Sequence, residues 1–472
     1  MPIKPIVLPE FNGGWSTRDP SLIDDNQGAL FTNYYYRLDR LPSTRLGTLS
    51  FGEAIPASAI EISNMNSFNG NGVWNASSDA TNVTTDTTNQ KRGAGCVNFD
   101  IDVSASVNNN AFISNSTLAA VDLSAANQTG DIRLWFNMPD TTNLTSFTVR
   151  WGSDATNYYE KTETTQAGGT AFVDGWNYLS FDWSAATTTG SPVDSAIDYV
   201  LVQVNYTSSQ VDETDVLVDS IYWVSASEAD TTLSLNAYKV STGTQYMLAH
   251  AGTVYWLYDE TTTRWEPIYT GMQEVAGDFA VYIDISYYVN GTDYLSFDGT
   301  TVAQEATPQK IKYLQVKNDI AYGAGVTSNL STLYYSNGNP ASLKISYANN
   351  DPIEEDNGQN ITGIANIGNL IYVGKEKSIY RYDVSSPAYD EIDSQIGMAA
   401  NRAVVAVDRN LLFLGDDGHI YNASVLLEAG TRTQAIPLTD DLDTYMRSLK
   451  NLSASAAFHW QRANHVYFAI GG

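Results

Sequence analysis

Apolar and polar residues alternate along most of this chain with a period of two, in short runs separated by turns rich in Gly, Asn and Asp. That pattern predicts β-strands with one face in a core. Between residues 61 and 226 the clearest runs are Ile132–Phe136, Phe147–Trp151, Tyr178–Trp183, Tyr199–Tyr206 and Val216–Val224. Strands of this length, spaced by turn-rich loops, predict a two-sheet sandwich. Helical periodicity is scarce. Its best stretch is Leu438–Ser448, where Leu442, Tyr445 and Met446, with Leu449 just beyond, fall on one helical face.

Residues 230–472 repeat a unit: a strand ending in an aromatic residue, then a polar turn. The marker falls at Tyr258, Phe297, Tyr335, Tyr382, Tyr421 and Tyr467. A period of roughly 40–45 residues with several strands per unit predicts about five to six propeller blades, each a small sheet that buries its faces only against its neighbours. Residues 1–60 read as an extended lead-in arm that ends in an Arg-rich stretch, Arg37, Arg40 and Arg45. The expected fold is therefore all-β: an N-terminal docking arm (1–60), an inserted jelly-roll β-sandwich (61–226) and a propeller-like domain (230–472). A strand such as Ile3–Leu8 is a candidate to close the ring of blades.

Composition supports the β reading. Tyr, Phe and Trp supply 12% of the 472 residues, while charged residues supply only 17%, so Ser, Thr, Asn and Gln must carry the surface. The net charge of −28 repels nucleic acid and anionic membranes. It serves solubility, or a channel in which DNA slides without adhering. Cys96 is the only cysteine, which rules out an intrachain disulfide framework. The opening MPIKPIVLPEF has no long apolar region, and no run approaches the ~18 apolar residues of a membrane helix. These features predict a chain made in a cytoplasm without membrane insertion.

No nucleophile elbow, phosphate loop or H-E-x-x-H motif is present, so the chain is expected not to be an enzyme. Its 53 acidic residues still leave glycoside hydrolysis by a carboxylate pair open. His250, His419, His459 and His465 are too scattered for a local zinc site, and His459 and His465, six apart in an expected hairpin, read as ordinary surface or blade residues. The acidic loop Asp351–Asn357 reads as solvated, and Gly415–Gly418 as a hairpin turn. Arg37, Arg40 and Arg45 either pair with acids of the same chain or dock an acidic neighbouring ring.

Two resemblances add to this. FNGGWSTRDP (Phe11–Pro20) and DDNQGALFTNYYYRLDRLPSTRLGT (Asp24–Thr48) resemble the lead-in of tailed-phage virion proteins. SNGNPASL (Ser336–Leu343), ITGIANIGNLIYVGKEKSIYRYDV (Ile361–Val384) and GMAANRAVVAVDRNLLFLGDDGHIYNAS (Gly397–Ser424) are similar to the propeller blades of that family, which includes nozzle and stabilisation proteins of short tails. The resemblance implies a structural protein of the virion tail, assembled in the host cytoplasm. It implies a homo-oligomeric ring, expected to be a hexamer, with portal or adaptor and other tail proteins as partners. Genomic DNA would pass through without specific binding.

GWNYLSFDWS (Gly175–Ser184) and VLVDSIYWV (Val216–Val224) look like core strands of carbohydrate-binding jelly rolls. That family often holds a structural calcium beside its final strand, which would make Asp219 and Glu61 the ligand candidates; a solvent-facing Asp at a strand end explains Asp219 equally well. Sugars stack on exposed rings, so Trp74, Trp151, Tyr158 and Tyr159 become the glycan candidates, while Trp176 and Trp183 fit core packing. The second functional expectation is thus an extracellular glycan-binding, or glycan-cleaving, propeller protein with a carbohydrate-binding module. No cofactor is expected apart from that calcium.

Overall fold

The computed structural model describes residues 53–472 apart from 106–107, 230, 307–308, 339–344, 369, 384–387, 408–409, 424–436, 440–442, 461–464 and 471–472. It also describes the backbone of two short strand pairs in the lead-in, Gly14–Trp15 with Gln27–Gly28 and Tyr34–Tyr36 with Pro42–Thr44. Arg37, Arg40, Arg45 and the segment Ile3–Leu8 lie outside the described residues.

The described chain is all-β, as the alternation predicts. Its first part is a sandwich of two antiparallel sheets. Sheet I runs in the order Gly175–Asp182, Asp131–Met138, Glu213–Val224, Cys96–Ile101 and Ala80–Asp86, and Ala59–Ser63 also pairs with Glu213–Val224. Sheet II runs in the order Thr187–Thr189, Asn157–Glu163, Leu144–Asp154, Tyr199–Tyr206, Asn110–Asn115 and Asn75–Ser78. The period of two decides what lies between them. Phe147, Val149 and Trp151 from one strand meet Val200, Val202 and Val204 from the next, and Ile132, Leu134, Phe136, Val216 and Val218 close the core from sheet I. Trp151 is fully buried, edge-on to Trp183 at 5.8 Å between ring centroids.

Six small antiparallel sheets follow in chain order. Blade 1 spans Thr232–Lys239 to Arg264–Thr270, blade 2 Asp278–Tyr282 to Val302–Gln304, blade 3 Tyr313–Lys317 to Ile345–Pro352, and blade 4 Ile361–Ile367 to Ala388–Asp393. These four have four strands each; blade 5 (Val404–Val407 to Ile420–Asn422) has three described strands and blade 6 (Ala456–Trp460 with His465–Ala469) has two. The first strands of successive blades pack against one another. Asn401, just ahead of blade 5, donates to Asp278 of blade 2 at 2.8 Å, and Arg402 donates to the Leu233 carbonyl of blade 1. Tyr258, Phe297, Tyr335, Tyr382 and Tyr421 each sit in the third strand of their blade.

Several local expectations change. Within the span Leu438–Ser448 expected to be helical, the described helix is Asp443–Met446, and Leu438 is exposed. His250 and His419 are buried: His250 lies against the Tyr288 hydroxyl and the Gly252 carbonyl, and His419 between Thr439 and Asp443. The acidic loop Asp351–Asn357 is more than a solvated turn. The buried Lys375 ammonium donates to the carbonyls of Ile353 and Glu354 and to Asn357 Oδ1 at 2.7, 3.0 and 2.9 Å.

The sandwich is fixed to blade 1 across a mixed seam. The chain enters the sandwich through residues 53–58 and leaves through 225–229, and these two passages hydrogen-bond to each other. Ala59, Tyr222 and Val224 share an apolar cluster with Trp256, Tyr258 and Trp265. Around it lie buried charges. Arg133 of sheet I forks onto Glu53, 2.6 Å at the shorter contact, and also binds Asp131 and the Trp265 carbonyl. Glu266 of blade 1 accepts from Arg92 at 2.9 and 2.7 Å and from the Trp135 indole at 2.6 Å.

Candidate functional site

Sheet I spends its outward face on the seam, which leaves the outward face of sheet II as the sandwich's broad presenting surface. Alternation fixes its membership: residues one step out of phase with the valine core point outward. They are Ser146, Thr148 and Arg150; Tyr158, Glu160 and Thr162; and Tyr199, Leu201, Gln203 and Asn205 on the central strand. Register brings them into rows. Arg150 stands opposite Glu160 on one side and Leu201 on the other, and Gly152 stands opposite Tyr158 and Tyr199.

Gly152 is what lets two rings approach here. A Cβ at that position would strike the Asn157 carbonyl and the Tyr158 backbone, and glycine inside a strand marks such a close approach. The Tyr158 and Tyr199 ring centroids are 6.3 Å apart, and the Arg150 guanidinium lies 4.7 Å over the Tyr158 ring. Arg150 Nε donates to Glu160 at 2.5 Å. Burial weakens the Arg150 charge, but the Glu160 carboxylate outweighs it and raises the guanidinium's affinity for its proton. Burial likewise raises Tyr199, so its hydroxyl stays a neutral donor and acceptor.

Beyond the rings runs a ladder of amides and hydroxyls. Gln203 donates to Asn205 at 2.6 Å, Asn205 donates to Ser146 and Thr148 hydroxyls at 3.0 and 3.1 Å, and Thr148 meets Thr162 at 2.7 Å. Each group is held in direction by its neighbour; Thr148, Leu201 and Tyr199 are buried beneath the face, and the half-buried Tyr158, Arg150, Gln203 and Asn205 are what it presents. Such a surface can stack the apolar face of a sugar and exchange hydrogen bonds with its hydroxyls.

Of the four glycan candidates, only Tyr158 belongs to this face. Trp151, Trp74 and Tyr159 are at most 3% exposed and belong to the sandwich core. The reason is phase: Trp151 shares the parity of Phe147 and Val149, so it points inward. Arg150, Glu160, Tyr199, Gln203 and Asn205 were missed, although the same alternation marks them as outward.

The two calcium candidates have other partners. Asp219 is fully buried, and its Oδ2 accepts from the backbone N–H of Lys91 and Arg92 at 2.9 and 2.8 Å while Oδ1 accepts from Ser220. Those N–H dipoles point positive ends at the carboxylate, whereas calcium needs six to eight oxygens around it. Glu61 is exposed and accepts from the Tyr222 hydroxyl. Among the described residues no group of three or more His, Cys, Asp or Glu is placed to hold a metal.

An acidic cleft of roughly 550 Å³ opens beside the seam, lined by Asp131, Glu163 and Asp182 among others. Its carboxylates have structural tasks: Asp131 holds Arg133 and Ser180, Asp182 caps the turn at Ser184, and Glu163 pairs with Lys161 at 3.7 Å.

No protein-family model and no curated protein sequence matches the chain at a significant level. Solved structures similar to it include the extracellular domain of a one-component system from B. thetaiotaomicron, at 12% identity and a TM-score of 0.37, covering 70% of this chain and 38% of that one. PorZ, a surface component of the type IX secretion system of Porphyromonas gingivalis, is similar at 13% identity and a TM-score of 0.31, covering 64% of this chain and 34% of that one. The agarase AgWH50C is similar at 11% identity and a TM-score of 0.24, covering 36% and 25%. The chain thus spans little more than a third of the length of the first of these, and likenesses this distant do not bear on function.

Proposed function

We propose that the chain is a non-catalytic structural and binding protein, in which the propeller-like blades carry a sandwich whose sheet II face recognises a glycan. The observation that carries this reading is the arrangement around Gly152, where the half-buried Tyr158 ring and Arg150 guanidinium, backed by the buried Tyr199, adjoin the half-buried Gln203 and Asn205 amides. The test is retention of the full chain on immobilised bacterial surface polysaccharides in affinity electrophoresis. Tyr158→Ala and Gln203→Ala should each lower retention of a binding polysaccharide by ~10-fold, the worth of one good contact. Binding unaffected by both substitutions, or none to any polysaccharide, refutes the reading.

A second reading, a ring-forming subunit of a short phage tail, rests on a separate observation: the ordered motifs from Phe11 to Ser424 in a chain of net charge −28. Under it the blades form the body of a ring, expected to be a hexamer, that meets portal or adaptor proteins in the virion tail. Arg37, Arg40 and Arg45 would then dock an acidic neighbour, and a glycan-recognising sandwich would face the host. Electron microscopy of the purified chain discriminates the two. A ring with an axial hole wide enough for a ~20 Å duplex, lost on charge reversal of the three arginines, favours the tail; a monomer that binds polysaccharide favours the first reading alone.

A further inference from the structure

The seam leaves a second cavity, on the side of the sandwich away from the sheet II face. It has a volume of roughly 680 Å³ and lies where the loop Gln90–Arg92 and Trp176 meet the turn 243–246 and strand end 258–260 of blade 1 and the turn at Gly299 of blade 2. That volume is in the range that holds small-molecule ligands, and clefts between domains are a preferred place for them. We infer that this cleft is a carbohydrate-binding site distinct from the sheet II face, with Trp176 as its stacking ring and Lys91 as its charged donor.

Three features support it. The first is rigidity. The Gln90–Arg92 loop is pinned at its base, because Asp219 accepts from the Lys91 and Arg92 backbones and the Arg92 side chain is held by Glu266 and the Gly299 carbonyl. A loop fixed in advance loses little entropy on binding. The second is unused polar capacity. Lys91 Nζ lies 3.9 Å over the Trp135 ring and donates to no oxygen among the described residues. Gln90 Oε1 is buried without a hydrogen-bond partner. Buried polar atoms of this kind are ordinarily satisfied, so an unsatisfied one calls for a partner.

The third is chemistry that selects the ligand. Trp176 is half-buried at the edge of the Trp135–Tyr178 cluster, so part of its ring faces the cleft. Around the ring stand donors (Lys91, Gln245, Thr244) and acceptors (Asp259, Glu260). A sugar hydroxyl both donates and accepts, so one ligand class answers all of them, and its C–H face covers the indole. The mixture of Lys91 with Asp259 and Glu260 disfavours polyanions. A short, neutral or weakly charged oligosaccharide fits. Bound there, it would touch the sandwich and two blades at once and so stabilise the seam.

The test uses the full chain and an array of defined oligosaccharides, followed by titration of the strongest binder by tryptophan fluorescence. Lys91→Gln and Trp176→Ala should each weaken that binding by ~10-fold or more, and the bound oligosaccharide should protect Lys91 from acetylation read by mass spectrometry. The Lys91→Gln variant and the protection readout hold even where Trp176→Ala disturbs packing. Tyr158→Ala should leave this site intact, which separates it from the sheet II face. An array with no binder overturns the inference, as does a binder that neither substitution weakens and that leaves Lys91 reactive.

Discussion

The sandwich and the blades are both all-β, yet they solve burial differently. The sandwich closes one continuous core between two sheets, built mainly from Val, Ile, Leu, Phe and Trp. No blade does this alone. Blade 1 shares its cluster with blade 2 through Leu248 and Phe297, blade 2 with blade 3 through Tyr287 and Tyr334, and blade 3 with blade 4 through Tyr322 and Tyr382. The blade clusters are rich in tyrosine, and the hydroxyls do part of the joining: Tyr382 of blade 4 donates to Asp351 of blade 3 at 2.5 Å. A self-contained core makes a unit that can stand alone; shared cores make an array in which each member depends on its neighbours.

The sharpest way to break that comparison is to truncate one ring on each side of the seam. Trp151→Ala removes a fully buried side chain from the sandwich core and should cost ~3–5 kcal/mol. In urea unfolding it should shift the transition of the sandwich and leave that of the blades in place. Tyr382→Ala should instead destabilise blades 3 and 4 together, because it removes a shared contact. Equal shifts of every probe in both variants would mean that the chain unfolds as one unit and that the distinction has no energetic content.

The seam decides how far the two regions are coupled. Arg133→Ala leaves Glu53 buried beside Asp131 without its main partner. Removing one member of a buried pair costs ~3 kcal/mol or more where the partner is left uncompensated, and less here because Arg264 stays 2.8 Å from Glu53. Burial pushes Glu53 up, but Arg133, the Trp265 N–H and Arg264 more than offset it, so the carboxylate is ionised at neutral pH and the substitution would leave it with Arg264 and the Trp265 N–H alone. The expected result is separation of the sandwich and blade transitions in calorimetry. A single unchanged transition would show that the apolar cluster around Trp256 holds the regions together without the ion pair.

What could be read in the sequence differs between the regions for the same reason. Strand alternation is local, so Tyr199–Tyr206 is visible by inspection and coincides with a strand of sheet II. The aromatic markers from Tyr258 to Tyr421 mark the third strands because every blade repeats one local unit. The seam is non-local: Arg92 and Glu266, or Arg133 and Glu53, are far apart in the chain and nothing in their neighbourhoods announces the pairing. The candidate face was half legible. Phase alone would have placed Arg150, Gln203 and Asn205 outward and Trp151 inward, but the weight given to aromatic type over parity selected the wrong rings. Asp219 was misread because of a bulge. Ser220 has a φ of 53°, and against the strand Asp131–Met138 the pairing runs Tyr222 with Arg133 but Asp219 with Trp135, so one residue is extra between them. This extra residue lets both Asp219 and Tyr222 leave the core for the seam.

That bulge gives the most diagnostic effect, a dependence on pH. Burial pushes the Asp219 carboxyl up to about 7, against the opposing N–H donors of Arg92 and Lys91 and the Ser220 hydroxyl, with Glu266 adding repulsion. The groups facing it are therefore Lys91 and Arg92 on the loop, Ser220 on its own strand and Glu266 from blade 1. The unfolded chain releases this proton near the ordinary carboxylate value, so between roughly pH 4 and 7 the folded state binds more protons than the unfolded one. Stability from this group is then full below pH ~4 and falls as pH rises toward 7, by at most about 1.4 kcal/mol per pH unit. Asp219→Asn keeps an oxygen for the two backbone donors and removes the titration, so its stability curve should be flatter over that range for probes in the sandwich. Asp278 in blade 2, raised by burial to about 6, has the same sign and should leave a residual slope in the blades. If Asp219→Asn changes the slope for blade probes as much as for sandwich probes, the seam transmits the charge and the two regions behave as one. If it leaves both slopes unchanged, the buried carboxylate is neutralised by Lys91 and Arg92 more completely than its burial implies.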